Sequence, residues 1–163
     1  MPMVIREKRN RTARLQQADF SSLMLVYELL YCKLDRLLDR QMAEGLWCSR
    51  LPGHPPLYLQ RVENHTYVTV DHLSHHFPAD CRNGQMEPDA FIKRYHDLRL
   101  AELMACTPDR HVNQLSHPLT ASGKALRERW RMNRFLLKWC DHLLDQGHGP
   151  QTFRLLDAAE WNG

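Results

Sequence analysis

The chain has 163 residues, which is enough for one domain of ordinary size. Hydrophobic residues make up 43% of it and charged residues 25%, as in folded globular proteins, so the composition excludes wholesale disorder. No apolar run approaches the ~18 residues of a membrane span, and the basic N-terminus lacks the apolar stretch of a secretory signal. The five cysteines are odd in number and scattered, which favours free thiols in a reducing cytoplasm.

The net charge of +3 is unevenly distributed. Residues 1–14 hold five basic groups and one acidic group, for a charge of +4. Residues 124–138 hold six basic groups and one acidic group, for a charge of +5. The rest of the chain therefore carries −6, and two basic segments accompany an acidic body.

The first predicted element is a long helix. Residues 1–18 are polar and basic without apolar periodicity, and we expect them to form a flexible arm. Asp19 has the side chain of a helix N-cap, with Ser21 and Ser22 as competitors for that role, and the apolar residues after Asp19 recur at steps of 4, 3, 4 and 3. They are Leu23, Tyr27, Leu30, Leu34 and Leu37. This pattern predicts a helix to about Gly45, followed by a proline-rich loop over Trp47–Pro56.

A β-hairpin is predicted next, from two short runs rich in apolar and β-branched residues. The runs are Leu57–Glu63 and Thr66–Leu73. Between them lie Asn64 and His65, a suitable turn because asparagine tolerates positive φ. The facing pairs are then Leu59 with Val70 and Val62 with Tyr67.

A second hairpin follows a polar loop over Ser74–Pro88. Its strands are Ala90–Tyr95 and Leu98–Cys106, with the turn centred on Asp97 and Leu98. The facing pairs are Lys93 with Glu102, Ile92 with Leu103 and Phe91 with Met104. This register is favoured because it sets opposite charges and apolar side chains against each other.

The C-terminal third contains a second long helix. Thr107–Leu119 holds two prolines and is expected to be irregular, and a helix is predicted from about Ser122 to Gln146, where Gly147 stops it. The tail after Phe153 is expected to add a short helical piece. The chain order predicts an α+β fold over residues 19–163, a single domain. In it, an antiparallel sheet of about four strands, from two hairpins, is packed by long N-terminal and C-terminal helices.

One face of the last helix concentrates positive charge. Five basic residues at steps of 3, 4, 3 and 4 fall within a narrow arc, opposite the apolar side of the helix. These residues, here named the cationic ridge, are Lys124, Arg127, Arg131, Arg134 and Lys138. One interpretation is a solvated outer face. The other is a surface for an anionic partner, which the scarcity of acids among these bases supports, because a face built only for solubility usually interleaves acids with its bases.

A second candidate site lies between the sheet and the last helix. Its residues are Tyr95, His96, Asp97, Glu102, Glu63 and Asn133. Asn133 falls within the apolar arc of the helix, where a buried amide needs hydrogen-bond partners. Tyr95, His96 and Asp97 follow one another at the tip of the second hairpin, so strand alternation separates His96 from its neighbours. A purely structural interpretation is open for each: the Asn133 amide could bond backbone groups, and Tyr95, His96 and Asp97 could simply form the turn.

No motif indicates a metal, a cofactor or a catalytic centre. The histidines within Asp71–His76, with Cys81 beyond them, lack the second pair of ligands that a metal site would show. A glycine-rich phosphate loop, a G-x-S-x-G elbow and an H-E-x-x-H helix are all missing from the sequence. We therefore expect no metal and no cofactor, and the sequence leans away from an enzyme.

A family resemblance rests on residues in four parts of the chain. They are Asp19, Phe20, Met24, Glu28, Leu34, Leu37 and Leu38; Val62, Glu63, Tyr67 and Thr69; Tyr95, His96, Asp97, Ala101 and Glu102; and Glu128, Arg129, Asn133, Phe135, Leu136, Trp139 and Gly147. Over roughly residues 19–149 the chain resembles the YqiB-like family of small bacterial cytosolic proteins, a domain of unknown function. It departs from that family at His117–Leu119, where Tyr-Pro-Asn is usual, and at Arg131, where Gln is frequent. The resemblance implies a bacterial cytosolic setting and no particular activity.

Two functions follow from these residues as expectations. The preferred one is a non-enzymatic, cytoplasmic binding or regulatory module whose cationic ridge, helped by the basic arm, contacts an acidic protein, a nucleotide or a nucleic acid. The alternative is a small enzyme or a domain that binds a small, nucleotide-like molecule between the sheet and the last helix. Neither expectation includes a membrane.

Overall fold

The computed structural model describes residues 18–75, 89–107, 110–111 and 123–157. Its elements are α1 (Phe20–Leu37), β1 (Gly45–Ser49), β2 (Leu57–Asn64), β3 (Val68–Ser74), β4 (Asp89–Tyr95), β5 (Leu100–Thr107), β6 (Arg110–His111), α2 (Gly123–Gln146) and β7 (Phe153–Leu155). The basic arm and most of the two loops expected over Ser74–Pro88 and Thr107–Leu119 lie outside the described residues. No helix within the described ranges is long and apolar enough to cross a bilayer.

The α+β class is confirmed, with a larger antiparallel sheet than expected. The described strands form one sheet in the order β6-β5-β4-β3-β2-β1-β7, so about four strands is only roughly right. Strands β1 to β6 follow one another as a meander. Helix α2 comes after the strand at one edge, β6, and precedes the strand at the other edge, β7.

Helix α1 begins as predicted and ends earlier. The Asp19 carboxylate accepts a hydrogen bond of 2.7 Å from the Ser22 amide, as an N-cap does. The helix ends at Leu37 rather than near Gly45, because Leu38 is extended while its N–H still bonds the Leu34 carbonyl. The chain beyond the helix turns so that backbone carbonyls there can accept hydrogen bonds from a buried arginine of β2.

The loop expected over Trp47–Pro56 is wrong in its first part. Gly45 adopts a φ of 138° and starts β1, which pairs with β2 on one side and with β7 on the other. The prolines begin only at Pro52, so they follow the strand rather than prevent it. In the tail after Phe153, where a short helical piece is expected, Phe153–Leu155 forms β7, and residues 158–163 lie outside the described residues.

The register expected for the first hairpin is wrong. Leu59 pairs with Leu73 rather than with Val70, and the turn spans more than two residues, closed by a bond from the His65 amide to the Val68 carbonyl. A β-bulge between Arg61 and Glu63 absorbs the extra residue. Val62 consequently does not face Tyr67 but is exposed at the bulge.

The second hairpin is confirmed near its turn. Lys93 pairs with Glu102 and Ile92 pairs with Leu103, as predicted. Phe91 lies opposite Ala105 rather than Met104, because a bulge shifts the register there. The charged and apolar cross-strand pairs therefore set the register only as far as the bulge.

The two helices lie side by side and run in the same direction. Trp130 of α2 donates a hydrogen bond to Ser22 of α1, and Lys33 of α1 bonds Asp141 of α2. Both links join residues separated by the same distance in sequence, which requires parallel helices. Together with the sheet they enclose one apolar core, which includes Val26, Leu30, Leu34, Leu59, Leu73, Ile92, Leu103, Leu136, Cys140 and Leu143.

Helix α2 starts and stops close to the predicted positions. At its end Gly147 has a φ of 107°, its N–H bonds the Leu144 carbonyl, and the His148 N–H bonds the Leu143 carbonyl. This pair of bonds is a Schellman motif, which favours glycine because the residue is left-handed. The stop fixes the direction of the chain into β7.

Candidate functional site

The structure places the cationic ridge on the outer face of α2. Arg127, Arg131 and Lys138 are exposed, and Arg134 is half-buried. Lys124 belongs to the first turn of the helix, but its side chain lies outside the described residues. The opposite side of α2 packs into the core, so burial separates the basic face from the apolar one.

An exposed aromatic side chain lies within the ridge. Phe135 follows Arg131 by four residues and precedes Lys138 by three, so the three side chains are neighbours on one helix face. Half of Phe135 is accessible to solvent, at 50%. The exposure of Phe135 could have been predicted from the sequence, because this residue is out of phase with the apolar stripe of α2. Sequence reasoning nevertheless did not include Phe135 among the candidate binding residues.

A second aromatic residue, Trp130, lies beside the ridge and contacts Arg134. The Arg134 guanidinium lies over the Trp130 ring, 5.0 Å from its centroid, in a cation–π contact. The Trp130 indole N–H in turn donates to the Ser22 hydroxyl at 2.9 Å. Arg134 is therefore held against the protein, while Arg131 and Lys138 extend into solvent.

Acidic side chains are sparse along the ridge. No acid occurs between residues 129 and 140, a stretch that contains three of the five ridge cations. Glu128 is exposed near the start of the helix, and the Asp141 carboxylate bonds Lys33 of α1. The stretch between residues 129 and 140 thus presents positive charge only, with Glu128 three residues before Arg131 and Asp141 three residues after Lys138 as the nearest acids on the same helix.

The second candidate site divides into separate groups. One group surrounds the Glu102 carboxylate, which accepts a hydrogen bond of 2.7 Å from the Tyr95 hydroxyl and lies 3.9 Å from the Arg129 guanidinium. The Glu102 side chain is 22% exposed. Burial, then the bond to Glu102 and its charge, raise the pKa of Tyr95.

Tyr27 of α1 belongs to the same group, here called the Glu102 cluster. The Tyr27 hydroxyl is near Glu102 and Arg129, and both charges act on it electrostatically. It is buried but makes no hydrogen bond of good geometry. Burial and then the charge of Glu102 raise the pKa of Tyr27 to about 12, so it keeps its proton. Sequence reasoning missed Tyr27 because it occupies a position in the apolar stripe of α1.

His96 lies in a different environment from the Glu102 cluster. Its ring is buried between the Tyr31 hydroxyl, 2.9 Å from Nδ1, and the Thr69 hydroxyl, 2.6 Å from Nε2. Burial, followed by the charges of Arg94 and Arg40, lowers its pKa to about 4, so the ring is neutral at pH 7. Asp97, the next residue, is exposed in the turn.

The Asn133 side chain has hydrogen-bond partners within the fold for both its oxygen and its nitrogen. Its Oδ1 accepts a hydrogen bond of 2.7 Å from the Leu103 amide of β5, and its Nδ2 donates one of 2.8 Å to the Arg129 carbonyl. Within the described residues, β6 pairs with β5 around Ala105 and Thr107, and the Asn133 side chain lies at the edge of β5 beside Leu103. The amide therefore joins α2 to the sheet.

Glu63 is remote from the other candidates. It is exposed on β2, with its carboxylate 3.8 Å from the His65 ring. Three strand spacings separate β2 from β5, or roughly 14 Å, so Glu63 does not join the Glu102 cluster. The residues of the second candidate site thus lie in several places rather than around one point.

A buried ionic network also escaped sequence reasoning. Arg61 makes two hydrogen bonds to the Asp71 carboxylate, at 2.9 and 3.1 Å, and Arg94 makes a third, at 3.3 Å. Arg61 Nη1 also donates to the carbonyls of Asp39 and Met42, at 2.7 and 2.8 Å. The three charged side chains are at most 1% exposed, and burial lowers the pKa of Arg94. These arginines hold the chain after α1 against the sheet.

A second buried histidine lies after α2. His148 Nδ1 is 2.7 Å from the Ser49 hydroxyl, which is itself 2.6 Å from the Thr152 hydroxyl. Burial, then the electrostatic influence of His75 and His54, lowers the pKa of His148 to about 4. Within the described ranges, no three His, Cys, Asp or Glu side chains are grouped so as to hold a metal ion.

Comparisons with known proteins identify one family. Residues 33–149, most of the chain, match the family described as "Protein of unknown function (DUF1249)". The match covers α2 with the complete ridge, the sheet from β1 to β6, and the last turns of α1. No curated protein and no solved structure matches the chain.

Proposed function

The chain belongs to the DUF1249 family of proteins of unknown function, and we propose that it is a non-enzymatic binding module that holds an anionic partner on its cationic ridge. The observation that carries this proposal is the exposure of Arg127, Arg131 and Lys138 on one helix face. The resemblance to YqiB-like proteins adds the inference that the module acts in the bacterial cytoplasm.

The energetics of the ridge support a partner. Arg127 and Arg131 are four residues apart, as are Arg134 and Lys138, and like charges at this spacing destabilise a helix by about 0.2–0.5 kcal/mol per pair. An anion that lies along the ridge removes this repulsion and releases counterions, so binding gains free energy that a solvated face does not provide.

A charge-reversal experiment tests the proposal. The ridge variant Arg127→Glu/Arg131→Glu/Lys138→Glu is compared with Arg36→Glu/Arg50→Glu/Arg154→Glu, a matched control that reverses three exposed arginines elsewhere. Both have the same net charge. On immobilised heparin, the ridge variant should elute at much lower salt than the control.

Folding is checked for both variants by circular dichroism and thermal melting. If the two variants elute at the same salt concentration, retention depends on net charge alone, and the ridge is only a solvated face. The proposal is supported if the folded ridge variant loses retention on heparin while the folded control keeps it.

A second candidate function is small-molecule binding at the Glu102 cluster. The observation that favours it is the buried Tyr27 hydroxyl without a hydrogen bond, since such groups in native proteins usually have a partner. A panel of free nucleosides and nucleotides should then raise the melting temperature of the wild type but not of Glu102→Gln. Equal shifts in both proteins, or no shift in either, would exclude this function.

A further inference from the structure

We infer that the partner of the cationic ridge is a single-stranded nucleic acid whose bases stack on Phe135. This inference rests on the proposed function and names the partner of the same surface. It draws on the order of side chains along α2, the nature of the exposed apolar group and the way in which Arg134 is held. The first two distinguish among anionic partners, and the third lowers the cost of a phosphate contact.

The first argument is the sequence of side chains on the helix face. Arg131, Phe135 and Lys138 place a cation, an aromatic ring and a second cation in succession, with rises of about 6 and 4.5 Å along the axis. A single nucleic-acid strand also alternates anionic phosphates with flat apolar bases. Positively charged surfaces with interspersed aromatic rings bind such strands, and base stacking tolerates any sequence.

The second argument weighs nucleic acid against an acidic protein. A stable protein–protein interface buries about 800 Å² on each partner around an apolar centre. Among the described residues of α2, Phe135 is the only large apolar side chain that is exposed, and the cations Arg131 and Lys138 are its neighbours on the helix. A protein would have to desolvate those cations, whereas a nucleic acid gains most of its affinity from them through counterion release.

The third argument weighs a single strand against a duplex. A duplex hides the faces of its bases within the stack, so it would leave Phe135 in contact with sugar and phosphate only. Unpaired strands offer base faces to aromatic side chains. The half-exposed ring of Phe135 therefore favours the single strand.

Arg134 contributes to the same surface in a preorganised way. Its guanidinium is held over the Trp130 ring, and Trp130 is fixed by its bond to Ser22. The side chain has therefore lost part of its freedom before any ligand arrives, which lowers the entropic cost of a phosphate contact. A planar guanidinium suits phosphate better than an ammonium does.

The test measures the binding of fluorescently labelled oligo(dT) and oligo(U) by anisotropy, with a DNA duplex and poly-glutamate as competitors. Wild type should prefer both single strands over either competitor. Phe135→Ala should weaken single-strand binding roughly tenfold, as removal of one stacking aromatic does, and Phe135→Trp should retain it. With three phosphates neutralised, affinity should fall roughly 20-fold between 50 and 200 mM salt.

Matched variants separate this inference from the proposed function. Val62→Ala and Leu155→Ala remove exposed apolar side chains elsewhere and should leave the affinity unchanged. Phe135→Ala should elute from heparin like the wild type, because heparin offers no bases to stack. If Phe135→Ala binds oligo(dT) as tightly as wild type, or if the duplex or poly-glutamate competes equally well, the inference is overturned while the ridge proposal stands. If the charge-reversed ridge variant and its control are retained equally on heparin, both are overturned.

Discussion

Arginine occupies opposite environments in two regions of this molecule. On α2, Arg127 and Arg131 are exposed on a face with few acids. In the sheet, Arg61 and Arg94 are buried and share the Asp71 carboxylate. The two pairs are chemically identical in the sequence, and only their surroundings differ. Burial and partners, rather than the count of basic residues, decide which arginines stabilise the fold and which can bind a ligand.

The largest expected effect comes from the buried region. Asp71→Asn removes the carboxylate and leaves two buried guanidinium groups without a counter-charge, which should lower the free energy of unfolding by about 3–5 kcal/mol. Urea denaturation measures this change. Asp97→Asn, at an exposed carboxylate, is the control and should change the free energy of unfolding by less than about 0.5 kcal/mol. A loss below about 1 kcal/mol for Asp71→Asn would show that the network is not structural.

The buried histidines predict acid sensitivity of the interior. The pKa values of His96 and His148 are lowered from 6.5 to about 4 in the folded protein, so between these values the unfolded chain binds more protons. Stability should therefore fall as the pH drops from about 6.5 towards 4, by up to about 1.4 kcal/mol per pH unit for each histidine. Above pH 6.5 both rings are neutral in both states and contribute no slope.

Urea denaturation between pH 4 and pH 8 measures this slope. His96→Gln and His148→Gln should each flatten it. An unchanged slope in both buried variants would show that neither ring is held neutral by the fold.

Asn133 marks the boundary between the two regions, because it lies on α2 but faces the sheet. Asn133→Ala leaves the Leu103 amide without its partner and should cost about 1–3 kcal/mol of stability, measured by urea denaturation. Heparin retention should not change. If the variant instead loses retention at normal stability, Asn133 belongs to the binding site rather than to the fold.

The smallest effect is expected on the exposed face. Arg131→Gln relieves like-charge repulsion with Arg127 and Arg134, which together outweigh the lost attraction to Glu128, and should raise the free energy of unfolding by a few tenths of a kcal/mol at low salt. The gain should vanish at 1 M salt, where the screening length is about 3 Å. Urea denaturation at both salt concentrations measures it. Destabilisation at both would mean that Arg131 stabilises the fold.

Local signals in the sequence predicted the parts of the fold that depend on neighbouring residues. The N-cap at Asp19, the stop at Gly147 and the pairing of Lys93 with Glu102 all follow from such signals. The end of α1 and the register of the first hairpin do not. Both depend on Arg61, which is buried, bonds carbonyls 22 and 19 residues away and adjoins the bulge.

The candidate sites were predictable to different degrees. Helical periodicity placed the ridge, because exposure follows directly from the phase of the apolar stripe. The Glu102 cluster needed the packing of both helices against β4 and β5, which brings Tyr27 and Arg129 to one carboxylate. No spacing in the sequence predicts that these three side chains come together.

The most direct test of the ridge as a binding surface is an NMR titration of the folded protein with a heparin-derived oligosaccharide. Amide shifts should concentrate on α2 from about residue 124 to residue 142, with the Trp130 indole N–H among them, and should leave the signals of Arg61 and Arg94 in place. Shifts that concentrate on the sheet, or that spread evenly over all exposed cations, would contradict the assignment of binding to the ridge.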